Sequence, residues 1–407
     1  MSFVILALLL GTYALSRIAD LLNLRALRQD PPPELAGLYD ADEYRRSQEY
    51  TRAKLAFGMI PATFDLLVLL AFWGLGGFGW LDSFVRGFGL GPIAAGLAYI
   101  GILAFAGQLL SLPFEAWSTF VIEERFGFNR TTPGTFFADL AKGTLLAVVL
   151  GAPLLAAILW FFEVAGPLAW LYCWGVTVLF LVAVQFIAPT WIMPLFNRFE
   201  PLDEGELRDA VLAYARSVSF PLEGLFVIDG SKRSTKANAF FTGFGRHKRV
   251  ALFDTLIEKH SVPELVGVVA HEIGHYKRGH IKKMLAIGIA QTGVMFFLLS
   301  LFLREPAIFE AFGVGTPSTY VGLVLFSVLF APVSLLLTLG VQAFSRRNEF
   351  EADAFARETL GSGEDLARAL EKLSTDSLQN LTPHPFYVAL HHSHPPLAAR
   401  LRALRSL

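Results

Sequence analysis

Charge is scarce in this chain. Only 17% of its 407 residues are Asp, Glu, Lys or Arg, while 54% are hydrophobic. A soluble domain carries about a quarter charged residues, so this deficit points to a protein embedded in a bilayer. The charge that is present nearly cancels, 34 basic residues against 35 acidic ones. That leaves no concentrated basic face and argues against a nucleic-acid partner. Cysteine is limited to Cys173 in an apolar run, which excludes an internal disulfide and says nothing about compartment. A cleavable leader is also not apparent, because nothing basic precedes Arg17; the first residues read as an uncleaved span. There is no internal repeat and no low-complexity tract.

What is present is a series of long apolar runs. Crossing roughly 30 Å of hydrocarbon takes about 20 residues of helix, and seven such runs lie near 2–19, 57–80, 88–110, 144–163, 167–189, 283–303 and 318–341. Lys282 and Lys283 mark the edge of the sixth, where lysines snorkel to the interface. Lys and Arg concentrate in the segment from Arg17 to Lys54, in the loop from 190 to 282 and in the tail from 342. Basic residues accumulate on the cytoplasmic side. The chain thus divides into 1–189 (spans one to five), 190–282 (the main extramembrane loop), 283–341 (spans six and seven) and 342–407 (the tail), with the loop and the tail both cytoplasmic.

Within the loop a helix is expected over 203–218, with strands at Leu225–Asp229 and Val250–Phe253 forming a small pair. The stretch from Asn238 to Gly245, with Gly243 and Gly245, reads as turns or close backbone approach rather than helix. In the tail, helices are expected at 345–359, from Gly363 through Leu373 and at 397–405, separated by a looser segment around Pro383 and Pro385.

One motif carries chemistry, His271-Glu272-Ile273-Gly274-His275. Two histidines four apart share one helix face and can reach one ion, and the intervening Glu272 can take a proton from a metal-bound water. This is the zinc-hydrolase arrangement. Ser261-Val-Pro-Glu264 has the capping-box form that starts such a helix. Zinc needs a third protein ligand and one open position. His280 lies roughly 140° around a continuous helix from His275 and so faces elsewhere. Glu349 and Asp353 share a face in Arg347-Asn-Glu-Phe-Glu-Ala-Asp353, whereas Glu351 is turned roughly 200° from Glu349. Glu349 is therefore expected on the metal, with Asp353 accepting a histidine ring N–H behind it. The histidine motif runs into the sixth span and Glu349 emerges from the seventh, so a hairpin of these spans brings both to one side of the membrane.

Several ordered blocks add to this motif. They are Glu123-Glu-Arg-Phe-Gly-Phe-Asn-Arg-Thr-Thr132, Ile192-Met-Pro-Leu-Phe-Asn-Arg-Phe-Glu-Pro-Leu202, Lys236-Ala-Asn-Ala-Phe-Phe-Thr-Gly-Phe-Gly245 and Ser393-His-Pro-Pro-Leu-Ala-Ala-Arg400. With them the chain resembles the type 1 CAAX prenyl endopeptidases over most of its length. The resemblance implies a mainly α, seven-transmembrane-helix protein enclosing a chamber, capped on the cytoplasmic side by a gluzincin-like HExxH metalloprotease domain. It implies one catalytic Zn2+ on His271, His275 and Glu349, with Glu272 as base. It implies His394 near the scissile carbonyl, Arg400 supporting that site, and Asn238 and Ala239 pairing with substrate backbone. The expected partners are a peptide or protein substrate, prenylated in the eukaryotic members, and the lipid bilayer. The expected location is a bacterial inner membrane, or the endoplasmic reticulum membrane in a eukaryotic host. Two other functions stay open, quality-control proteolysis of unprenylated membrane proteins and a zinc-dependent binding or transport role without proteolysis.

Overall fold

The structure, a computed structural model, describes residues 1–242 and 248–406. Gly243 and Gly245, expected in turns, lie outside the described residues. Helices dominate. α1 (Ser2–Arg25), α2 (Ala41–Gly74), α3 (Gly77–Arg86) and α4 (Pro92–Trp117) come first. α5 (Pro133–Leu146) passes through a π-helical turn into α6 (Ala152–Val164), and α7 (Ala169–Ile187) follows. Six helical stretches among the described residues are long and apolar enough to cross a membrane. A bent pair at the seventh position raises this to seven if it counts as one span.

The ends of the expected spans move for local reasons. The second stops short of residue 80 because Gly76, at φ +73°, turns the chain into α3. It starts early, at a capping box in which Asp40 Oδ1 accepts the Glu43 N–H at 2.7 Å. The fourth begins at Pro133, capped by the Thr132 side chain, well before residue 144. The seventh breaks at Phe330, where α13 (Thr319–Leu329) meets α14 (Ala331–Leu360) at 54°. The helix expected at 345–359 is the far half of α14, so the boundary at 341 falls inside one continuous rod.

The extramembrane region is richer than a strand pair. Four strands, β1 (Phe199–Pro201), β2 (Leu222–Ile228), β3 (Ala239–Thr242) and β4 (Lys248–Phe253), form a mixed sheet in the order β1-β2-β4-β3. β2 and β4 are parallel, and both outer pairings are antiparallel. The stretch after Asn238 is thus an edge strand, where turns or close backbone approach were expected. β1 was missed because Pro201 ends it, and edge strands tolerate proline. Helix α8 (Glu206–Ser217) precedes β2, and α9 (Asp254–Lys259) links β4 to α10 (Val262–Lys277).

α10 is central to this part of the fold. Leu265, Val268, Val269 and Ile273 recur at helical spacing and are all buried. Each contributes roughly 1.5–3 kcal/mol by leaving water, as an upper bound. They lock α10 against α8, α14 and α15 (Glu364–Asp376). Gly279, at φ +71°, separates α10 from α11 (His280–Phe302). Helix α12 (Pro306–Ala311) lies between α11 and α13, and α16 (Pro385–His391) and α17 (Leu397–Arg405) close the chain. A second apolar cluster around Tyr99, Phe309, Phe312 and Tyr320 ties α3, α4, α12 and α13 together away from α10.

Candidate active site

Two helices make the site. α10 presents His271 and His275 one turn apart, and the buried half of α14 presents Glu349 opposite them. The imidazole Nε2 atoms lie 3.1 Å from each other. His271 Nε2 is 3.5 Å from Glu349 Oε2, and His275 Nε2 is 3.3 Å from Glu349 Oε1. One ligand atom from each of the three falls within 4.8 Å of the others.

The surroundings fix which nitrogens carry protons. His271 Nδ1–H donates to Asp353 Oδ1 at 2.8 Å, leaving its Nε2 lone pair directed inward. On the other ring, His280 Nε2–H donates to the Glu351 carboxylate at 3.1 Å, so its Nδ1 accepts from His275 Nδ1–H at 3.0 Å. His275 Nε2 is then also a bare lone pair. Two lone pairs facing each other at 3.1 Å beside a carboxylate repel unless a cation sits among them. Glu349 Oε2 is buried with no hydrogen-bond partner. Burial lowers the His271 pKa, but its bonds to Asp353 and Glu349 outweigh that and raise it to about 9 without an ion, so a metal binds here by displacing a proton from Nε2. Each of these features fits a metal ion on this donor set.

Arg400, on α17, is buried behind the ligands. Its Nε and Nη2 fork onto Asp353 at 2.9 and 2.6 Å, and its Nη1 lies 3.4 Å from Glu349 Oε2. It thus braces the carboxylates, with its donors committed to them. His394 precedes α17 and exposes 63% of its side chain. Its Nε2 is 3.4 Å from Glu349 Oε1 and its Nδ1 is 2.8 Å from Ser393 Oγ. Desolvation in the cavity pushes its pKa below the ordinary histidine value, against the opposing pull of Glu349. Burial pushes the Glu272 carboxyl up, against the opposing pull of the histidines.

His271, Glu272, Glu349, His394 and Arg400 line a cavity of about 690 Å³. Asn238 and Ala239 form another part of the same wall. Phe253 N–H donates to Asn238 O at 3.0 Å, so by strand alternation the Ala239 backbone faces away from β4, along the open edge of the sheet. The sequence-expected residues therefore converge. His280 was missed as the partner of His275, and Glu351 as the partner of His280. An angle of roughly 140° holds only along one continuous helix, and Gly279, at φ +71°, resets the phase between the two histidines.

Known proteins match this architecture along the whole chain. A family model described as CAAX prenyl protease N-terminal, five membrane helices, matches residues 20–198, and one for peptidase family M48 matches residues 201–407. A protein from Arabidopsis thaliana named CAAX prenyl protease 1 homolog is 37% identical, covering 96% of this chain and 94% of that protein. The Homo sapiens protein of the same name is 33% identical over 92% of this chain and 89% of its own length. A solved structure, the crystal structure of S. mikatae Ste24p, superposes with a TM-score of 0.94 at 32% identity, covering 100% of this chain and 99% of that one. The chain belongs to peptidase family M48, as a multi-pass membrane metalloendopeptidase of the CAAX prenyl protease 1 kind.

Proposed function

We propose that the chain is a zinc endopeptidase that cuts near the C-terminus of CAAX-type prenylated proteins or peptides. The observation that carries this reading is the pair of inward lone pairs on His271 and His275, facing Glu349 beside Glu272 on a cavity wall. A neutral nitrogen pair plus one carboxylate suits zinc and leaves a position open for water. His271, His275 and Glu349 would hold the ion, which when bound polarises a carbonyl and acidifies water.

The remaining steps belong to the chain. Glu272 takes a proton from water as the substrate carbonyl is attacked, and burial makes its carboxylate a stronger base than a solvated one. It then delivers that proton to the leaving nitrogen as the C–N bond breaks. His394 donates a hydrogen bond to the carbonyl oxygen as that oxygen gains negative charge. Arg400 acts as a positioning residue through Asp353 and Glu349. The Ala239 backbone, whose N–H donates to Asn238 Oδ1 at 2.9 Å until a substrate carbonyl replaces it, offers an edge to which an extended substrate adds as a strand. The segments 190–282 and 342–407 supply these parts, and 1–189 and 283–341 supply the membrane body.

The test uses purified protein in detergent, a farnesylated CAAX peptide, its unprenylated twin and the Glu272→Gln variant. The variant should lose roughly 10²- to 10⁴-fold in turnover while its zinc content, measured by mass spectrometry, is unchanged. Full activity in the variant would sink the assignment of the base. Equal cutting of both peptides by the parent would replace the prenyl-specific reading with general membrane-protein proteolysis.

A further inference from the structure

Away from the metal ligands, the same cavity has a wall built around a shared carboxylate. Tyr50 and Lys54 come from α2, and Lys236 comes from the loop just before β3; all three line the cavity. Lys236 Nζ donates to Glu123 Oε2 at 2.7 Å and to Tyr50 Oη at 2.6 Å, and Tyr50 O–H donates to Glu123 Oε1 at 2.6 Å. Lys54 Nζ is 3.6 Å from Glu123 Oε1, beyond hydrogen-bond reach, with half of its side chain exposed. Two ammonium groups thus share one carboxylate. One unit of positive charge is left over, carried by a half-exposed side chain that lines the cavity.

Strand direction says what would meet it. A substrate laid antiparallel on the open edge of β3 runs opposite to Ala239–Thr242, so its C-terminal end travels back past Asn238 towards Lys236. The three residues beyond a CAAX scissile bond span about 10 Å in extended form and end in a free α-carboxylate. We propose that Lys54 and Lys236, braced by Glu123 and Tyr50, form the subsite that binds this terminal carboxylate and so sets where the chain is cut. The subsite selects a free C-terminus over an internal segment, because only the former brings a negative charge to the leftover cation. This rests on the proposed cleavage of C-terminal CAAX peptides.

The test separates binding from turnover. In metal-loaded Glu272→Gln protein, the dissociation constant of a fluorescent farnesylated CAAX peptide is measured by anisotropy, with a free C-terminus and as its C-terminal amide. The acid should bind about tenfold tighter or more, the scale of one charge-assisted hydrogen bond. Adding Lys54→Gln and Lys236→Gln should bring the ratio near one by weakening the acid alone. Lys54→Gln by itself, on a half-exposed side chain, should lower the ratio part-way without disturbing the fold. Equal binding of acid and amide by the parent, or a ratio that survives both substitutions, overturns the subsite. Failure of the wild-type protein to cut the acid peptide, with the binding ratio intact, would sink the cleavage reading and leave the subsite standing.

Discussion

His275 shows how a metal ligand is set by a neighbour that never reaches the ion. Its Nδ1–H is held by His280, which is held in turn by Glu351, and the far nitrogen stays bare as a result. Removing such an outer partner typically costs 10- to 100-fold in metal affinity. Glu351→Ala and His280→Ala should each weaken zinc binding by about that factor in competition with a chelating dye, with little change in fold. Unchanged affinity in both would mean that the ring is oriented by packing alone. Asp353→Asn should be at least as severe, because Asp353 both accepts from His271 and receives the Arg400 fork. At this scale the sequence was informative about His271, Glu272, His275 and Glu349, since i,i+4 spacing on a helix is a strong local rule. Nothing local linked residue 280 to residue 275 or Lys236 to Glu123, because those contacts depend on a glycine break and on distant elements meeting.

Between elements, the decisive contact is the crossing of α10 and α14. A Cβ added at Gly274 would come within 3.1 Å of the Ala352 Cα and carbonyl oxygen and 3.2 Å of Phe355 Cδ1. The glycine inside the histidine motif therefore sets how closely Glu349 approaches the two rings. Gly274→Leu should push the helices apart, cost about 1–3 kcal/mol or more in overpacking, and lower metal affinity at least tenfold. Gly274→Ala should do less of both, and native metal binding in the leucine variant would refute this account of the crossing. The N-terminus of α10 gives a pH prediction. Burial raises the Glu264 pKa, but bonds from Lys372 at 2.7 Å and from Ser261 N–H at 2.8 Å outweigh it and hold the carboxyl below the ordinary glutamate value. The stability it adds is present above the unfolded value of about 4.3 and is lost as pH falls through the depressed folded value. Glu264→Gln should lower Tm at neutral pH, by a stability change of about 1 kcal/mol, and the gap from wild type should close in acid. A gap that stays constant with pH would rule out this titration. The capping box itself was legible as S-x-x-E, whereas β1 and β3 were not, being three and four residues long and defined by partners rather than by alternation.

For the whole molecule, the apolar runs were readable because bilayer thickness imposes a length that composition alone reveals. The 54° bend and the unbroken rod of α14 were not, since both depend on packing against neighbours. The metal should couple to global stability, because its ligands join α10 to α14. Stripping it with a chelator should abolish activity and lower Tm. At free zinc about 1,000 times Kd, binding supplies roughly 4 kcal/mol, and readdition should restore both. A Tm indifferent to chelation would mean that the helix pair stands without its ion. The cavity limits the protein in another way. Its 690 Å³ is the volume of a small-ligand pocket, whereas even a 50-residue folded domain has a radius of gyration near 10 Å. A folded domain is too large to fit within that volume beside Glu272. What enters must be a single strand, a loose tail or an unfolded loop, so the substrate's disorder is itself a condition of being cut.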